Sequence, residues 1–216
     1  MKLYTINKDY IDYLKEFDDK VVNVDYNERY KLFVGKIKLQ SDNESISYYI
    51  PLTSFKSKYN DFDDRLDMIK ISDSNKNHFT SALNLNNMIP VPDIAATEFS
   101  YDMLRNNNSF KGYTEKYNYY HLAINELKYI NEISEKIENN AKAVYSIVKN
   151  NNERFKVLKE RCCDFVGLYE HAIEYNNVLT SEIEDLMEDI TKQFRLAGIG
   201  NNDYTSKLSN DMSKEK

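Results

Sequence analysis

LFVGKIKL (residues 32–39) and ISYYIPL (residues 46–52) flank the polar run QSDNES (residues 40–45). Both flanks are rich in β-branched and aromatic residues, and SDNE has turn character, so this stretch predicts an antiparallel hairpin. Upstream, KLYTI reads as a strand. Asn7 follows as a helix cap, with Tyr10, Ile11, Tyr13, Leu14 and Phe17 at helical spacing behind it. A loop is expected from Asn23 to Tyr30. Downstream, LDMIKIS and ALNLNNMIPV read as two more strands, and Pro90 and Pro92 are expected to end β pairing, because proline donates no ladder hydrogen bond. Residues 1–92 are therefore expected to be β-rich.

After residue 92 the period changes. Tyr117, Tyr120, Ile124, Leu127, Ile130, Ile133 and Ile137 recur at threes and fours, and the rhythm returns in Phe155, Leu158, Cys162, Phe165, Val166, Tyr169 and Ile173, with a break expected at Asn150–Asn152. A strand-rich half followed by a helical half predicts the α+β class, a twisted antiparallel sheet with helices packed around it. The expected organisation is a body over 1–165, helical from 93, a C-terminal helical extension over 166–201, and a disordered polar tail over 202–216. Within the extension, Ser181 and Glu184 have capping-box spacing, and Ile183, Leu186, Met187, Ile190 and Phe194 share one face. A helix from about Glu182 to Ala197 is predicted, stopped by Gly198, its apolar stripe buried against the body or, as the second alternative, against another protein.

At 216 residues, with 41% hydrophobic and 30% charged side chains, the chain is long enough and apolar enough to bury one sizeable core. No stretch approaches the roughly 18 to 20 apolar residues of a membrane span, and the N-terminus lacks a signal-peptide core, so a cytoplasmic location without membrane partners is expected. The two cysteines, Cys162 and Cys163, are adjacent, which suits a reducing compartment better than a disulfide. The net charge of -6 is uneven: from Val166 onward there are 10 acidic and 5 basic residues, leaving 25 and 24 in the first 165. Between Arg29 and Lys58 the balance turns positive, with Arg29, Lys31, Lys36, Lys38, Lys56 and Lys58 against Asp42 and Glu44. Such a run is ordinarily a solvated face, and by itself it identifies no partner.

GxxxxGK[ST], GxGxxG, HExxH, GxSxG and paired CxxC are all absent, and His78, His121 and His171 are far apart. No cofactor and no metal site are expected. What remains is a polar cluster on the hairpin: Lys31 before one strand, and Pro51, Leu52, Thr53, Ser54, Phe55 and Lys56 at the end of its partner. If the strands pair, the ladder brings Lys31, Thr53, Ser54 and Lys56 to one surface. Hydroxyls and amides can then donate to phosphoryl oxygens while lysine supplies charge. The competing reading is that Thr53 and Ser54 only shape a turn.

The opening KLYTINKDYIDYLKEFDDKV, then KLFVGKIKL, YYIPLTSFKSK and LNLNNMIPV, stand in the order and spacing of the ToxN/AbiQ family of type III toxins. That family shows an FYTI-x-x-x-YI-x-YL opening, a K-x-F-[IV]-G strand, a PLTSPK-like turn and an INL-x-x-MIP segment. The segments YTEKYNYYHLAINELKYINEISEKI and FKVLKERCCDF resemble its helices, so the likeness covers Met1 to about Phe165. The resemblance implies a strongly twisted antiparallel sheet, distantly similar to MazF toxins. It implies a metal-independent endoribonuclease of a toxin–antitoxin or phage abortive-infection system, cutting cellular or phage RNA to 2′,3′-cyclic phosphate and 5′-hydroxyl ends. The partner it implies is an antitoxin RNA of short repeats, held with the protein in a closed assembly. By the same resemblance Lys31, Thr53 and Ser54 are catalytic. Arg29, Lys56 and Lys58 are placed in the RNA-binding surface, with a loop tyrosine that falls on either Tyr26 or Tyr30. Phe55 stands where the family commonly has proline. The alternative is a non-catalytic RNA-binding regulator, its basic hairpin holding phosphates and its tyrosines stacking on bases.

Overall fold

The computed structural model describes residues 1–24, 29–40, 43–56, 64–72, 78–105, 107–150 and 153–196. Its chain divides into two compact units, Met1–Tyr175 and Asn176–Lys216. The first holds a seven-stranded antiparallel sheet with helices, the α+β class expected.

The sheet is assembled around one long strand. β1 (Lys2–Ile6) leads into α1 (Lys8–Lys15), which starts where the Asn7 side chain accepts from the Asp9 amide at 2.8 Å. The expected hairpin forms from β2 (Phe33–Ile37) and β3 (Ile46–Ser54). β4 (Met68–Ser72), β5 (Phe79–Asn84), β6 (Ile89–Pro92) and β7 (Ala96–Glu98) complete it in the order β4-β5-β3-β2-β1-β7, with β6 beside β3. On the side away from β2, β3 changes partner along its length. Ile46 to Tyr49 pair with β6, and Leu52 to Ser54 pair with β5.

Two strand expectations are corrected. Pro90 and Pro92 do not end β pairing: they lie within β6, opposite Tyr48 and Ile46. Among the described residues β6 pairs with β3 alone, so the missing proline N–H groups break no second ladder there, and the Pro90 carbonyl accepts from the buried Tyr10 hydroxyl at 2.6 Å. ALNLNNMIPV is likewise not one strand, because a 3₁₀ turn at Leu85–Asn87 separates β5 from β6. β7 adds a short strand inside the stretch read as helical.

Between Val34 and Ile37 the β2–β3 register shifts. A Cβ on Gly35 would come within 2.3 Å of the Tyr49 ring, so only glycine lets this strand pass that buried tyrosine. The core is dominated by such rings: Tyr10, Tyr48, Tyr49, Phe33 and Phe165 are all under 2% exposed, and full burial of a phenylalanine such as Phe33 stabilises by roughly 1.5–3 kcal/mol. The Tyr48 hydroxyl donates to the Phe165 carbonyl at 2.9 Å, which ties the hairpin to the helical half.

α2 (Tyr101–Arg105), α3 (Tyr113–Glu132), α4 (Ser134–Lys149), α5 (Lys156–Arg161) and α6 (Phe165–Leu196) follow. Where separate helices were expected on either side of Ser181, α6 is continuous. Its start is set by Asp164, whose side chain accepts from the Gly167 amide at 3.1 Å, and no glycine or proline interrupts it beyond Gly167. Ser181 is thus interior, and its spacing to Glu184 has no capping role. Within the second unit, the described residues are the helical stretch 176–196. Its stripe of Ile183, Leu186, Met187, Ile190 and Phe194 runs from 38% exposed at Ile190 to 60% at Leu186. Periodicity marks a helix face as apolar without saying what covers it. Gly198 and the polar tail lie outside the described residues. Among the described residues no helix is long and apolar enough to cross a membrane.

Candidate active site

Antiparallel register decides what meets Lys31. Phe33 pairs with Pro51 and Val34 with Ile50, so two residues further along the ladder Lys31 faces Thr53. The Leu52 amide donates to the Leu32 carbonyl at 2.8 Å, keeping the strands together at that end. The Lys31 ammonium donates to the Thr53 hydroxyl at 2.9 Å. From the other flank the Asn84 side-chain amide donates to the same hydroxyl at 3.2 Å, because β5 places Ala82 opposite Thr53 and Asn84 two residues on, on the same face. Thr53 is therefore held by cation and amide together, beyond what a turn residue needs.

Ser54 and Lys56 follow at the exposed end of β3. Phe55 between them donates its amide to the Thr80 carbonyl at 3.1 Å and stacks on Phe79 with ring centroids 5.5 Å apart. A proline at 55 has no amide to donate, so this chain closes the strand end with a ladder bond and a ring pair. Burial, and secondarily the Lys56 charge, lower the pKa of Lys31 from 10.5 to about 8. Lys31 is consequently charged at neutral pH but close to proton exchange.

Beside Lys31 lies a pocket of about 290 Å³ lined by Thr5, Ile6, Lys8, Val24, Arg29, Tyr30 and Lys31. A larger hollow of about 480 Å³, around Glu153–Arg161, shares no lining residue with it. The remaining site residues are distributed as follows. The Tyr30 hydroxyl donates to the Met103 carbonyl at 3.1 Å, and the Tyr30 carbonyl accepts from Tyr119 at 2.9 Å, so this tyrosine is fastened to α2 and α3. Arg29 pairs with Glu115 and lies over the Phe110 ring, 5.5 Å from its centroid. Tyr26 and Lys58 lie outside the described residues. Of the other cations in the basic run, Lys36 pairs with Asp93 at 2.7 Å and Lys38 donates to the Glu44 and Ile46 carbonyls.

Sequence reasoning missed Asn84 and Glu126. Asn84 was legible only as a strand residue, since nothing local says that β5 runs beside β3. Glu126, on α3, is 5% exposed, and burial raises its carboxyl pKa while the nearby Thr80 and Ser81 hydroxyls oppose the shift. Ser81 is the register partner of Ser54. Neither buried thiol suits nucleophilic work: burial pushes Cys162 up to about 12 and Cys163 further still. Among the described residues no three His, Cys, Asp or Glu side chains converge as a metal would require.

Residues 2–174 match the family model described as toxin ToxN, type III toxin–antitoxin system. The chain belongs to the ToxN toxin family. Its ToxN relatives include the endoribonuclease ToxN of Bacillus thuringiensis subsp. kurstaki, 29% identical over 177 residues that cover 81% of this chain and 84% of that protein. The endoribonuclease AbiQ of Lactococcus lactis subsp. lactis is 28% identical over 186 residues, 83% of this chain and 92% of its own. A solved type III toxin–antitoxin structure, described as showing selective toxin inhibition by a non-coding RNA pseudoknot, superposes with a TM-score of 0.65. It is 27% identical, covering 81% of this chain and 97% of that one. The ToxN match ends at residue 174, so the second unit owes nothing to it.

Proposed function

We propose that this chain is a metal-independent endoribonuclease and the toxin of a type III system, cutting cellular or phage RNA by attack of the 2′-hydroxyl on the adjacent phosphate. The observation that carries the reading is the partly buried Lys31 ammonium held against Thr53 at the strand end that bears Ser54 and Lys56, in a member of the ToxN family. RNA brings its own nucleophile, so the protein has to align it, neutralise charge on the phosphoryl oxygens and assist proton transfer. Lys31 supplies the charge and, titrating near 8, is placed to exchange a proton. Thr53 is oriented by Lys31 and Asn84, and Ser54 offers an exposed hydroxyl to a phosphoryl oxygen. Lys56, with Arg29 at the pocket, attracts the backbone. Lysine and hydroxyl side chains are poor metal ligands but good phosphate donors, which favours catalysis without a metal. Bond breaking in this scheme leaves a 2′,3′-cyclic phosphate and a 5′-hydroxyl. The antitoxin is an RNA that occupies the same surface, as the pseudoknot of the solved relative inhibits its toxin.

The test is incubation of purified protein with a labelled RNA in excess EDTA, followed by end analysis. Discrete fragments bearing cyclic phosphate are expected. Lys31→Ala and Ser54→Ala should each lose about 10²-fold or more in rate with an unchanged circular dichroism spectrum, by comparison with loss of one oxyanion donor. Magnesium dependence, 5′-phosphate ends, or RNA binding without cleavage would overturn it.

A further inference from the structure

On the first half of α3 three rings stand in file. Tyr113, Tyr117 and His121 are four residues apart, so they share one face and span about 12 Å of helix axis. The Tyr113 and Tyr117 rings lie 6.0 Å apart and 28° from parallel, and Tyr117 and His121 lie 4.0 Å apart at 41°. These rings are not core: Tyr113 is 69% and Tyr117 44% exposed, and His121 is exposed as well. The Ile130 and Ala123 side of the same helix is buried against the body. Gly112, at φ 135°, opens the helix at this point.

The charge around the file is positive. Arg29, Arg105, Lys111 and Lys116 surround the start of α3, against Asp102 and Glu115. Glu115 is already engaged by the Arg29 guanidinium and the Lys111 amide, and Asp102 by Arg105 at 3.3 Å. Lys116 reaches the Arg105 carbonyl at 2.7 Å and so stays beside the rings. Glu115, with the Arg29 guanidinium that it binds, lies two residues from both Tyr113 and Tyr117 and therefore on the other side of α3 from the rings.

Exposed rings in file, the first two stacked and the third tilted, with cations beside them, suit a ligand with flat aromatic faces and a negative backbone. We infer that Tyr113, Tyr117 and His121 form a stacking surface for single-stranded RNA. This inference rests on the reading of the protein as RNA-acting. The rings supply sequence-tolerant stacking on base faces, and Lys111, Lys116 and Arg105 supply the attraction to phosphates.

The probe is a fluorescein-labelled 2′-O-methyl oligoadenylate of 20 nucleotides, which lacks the attacking hydroxyl, titrated with the full-length chain and followed by anisotropy. Stacking is worth about 1–3 kcal/mol per base, so the Tyr113→Ala and Tyr117→Ala double variant should bind at least about tenfold more weakly. Tyr117→Phe, which keeps the ring, should stay within about twofold. The logarithmic dependence on salt should keep its slope in the tyrosine variants, while Lys116→Ala should make it shallower by about one. Binding of the double variant within twofold of wild type overturns the inference, as does a Tyr117→Phe loss equal to that of Tyr117→Ala, or a wild type that does not bind the probe. The two readings fail separately. Cleavage that depends on Lys31 with normal binding by the double variant removes the stacking surface alone. A ring-dependent affinity in a protein that never cuts RNA removes the catalytic reading and leaves the surface standing.

Discussion

Lys31→Met exchanges a partly buried ammonium for an apolar side chain of similar length, and the lowered pKa of Lys31 sets what this does to stability. In the unfolded chain this lysine titrates at 10.5 and in the folded chain at about 8. Between those values the unfolded state binds more protons, so stability rises with pH across the window and the cost of holding the charge is full below 8. At 1.36 kcal/mol for each pH unit of separation the ceiling at pH 7 is about 3 kcal/mol, falling to about 1.4 kcal/mol at pH 9.5. Loss of the hydrogen bond to Thr53 takes back about 1 kcal/mol at both pH values. Solvent relaxation around a group that is only partly buried lowers these figures further, so a net gain of roughly 1–2 kcal/mol is expected at pH 7. Urea denaturation of wild type and variant at pH 7 and 9.5 measures it, since titrating groups that are not coupled to Lys31 cancel in the difference and Lys56 is the lesser cause of its shift. The variant should be the more stable at pH 7, lose most of that advantage at pH 9.5, and cut no RNA. A variant less stable than wild type at pH 7, or an advantage that does not shrink with pH, refutes the account of Lys31 as a cation held at a cost for function.

Removing the second cation, by Lys56→Met, should raise the Lys31 pKa. Burial is the larger cause of the depression, so the basic limb of the pH–rate profile should move up by no more than about one pH unit; a downward move contradicts this. Gly35→Ala drives a Cβ to 2.3 Å from the Tyr49 ring and should cost about 1–3 kcal/mol in chemical denaturation, whatever the activity. Phe55→Pro restores the residue common in the family, yet here it removes the amide bond to Thr80 and the stack on Phe79. A stability loss of about 1–2 kcal/mol is expected, with slower cleavage through the displaced Ser54. Tyr48→Phe removes the second hydrogen bond to the Phe165 carbonyl, which keeps its place in the α6 ladder, and should lower stability by about 0.5–1.5 kcal/mol in the same measurement.

Local pattern was enough for the elements that set the frame. Asn7 is a cap because its oxygen is near the next amides whatever the rest of the chain does, and the hairpin of β2 and β3 follows from two β-rich runs joined by a polar turn. The meeting of Lys31 with Thr53 was legible too, since pairing two adjacent strands needs only register. Motif order pointed to the ToxN family before any coordinate. Tertiary structure decided everything that depends on distant segments meeting. It brings β5 beside β3, so Asn84 reaches Thr53 across 31 positions of sequence. It makes β6 a strand in spite of its prolines, because among the described residues one of its edges alone is paired. It runs α6 through Ser181, because Asp164 caps the helix earlier and nothing beyond Gly167 stops it. The lowered pKa of Lys31 belongs here as well: desolvation and a neighbouring charge are properties of the folded surroundings, and a lysine in a sequence carries neither.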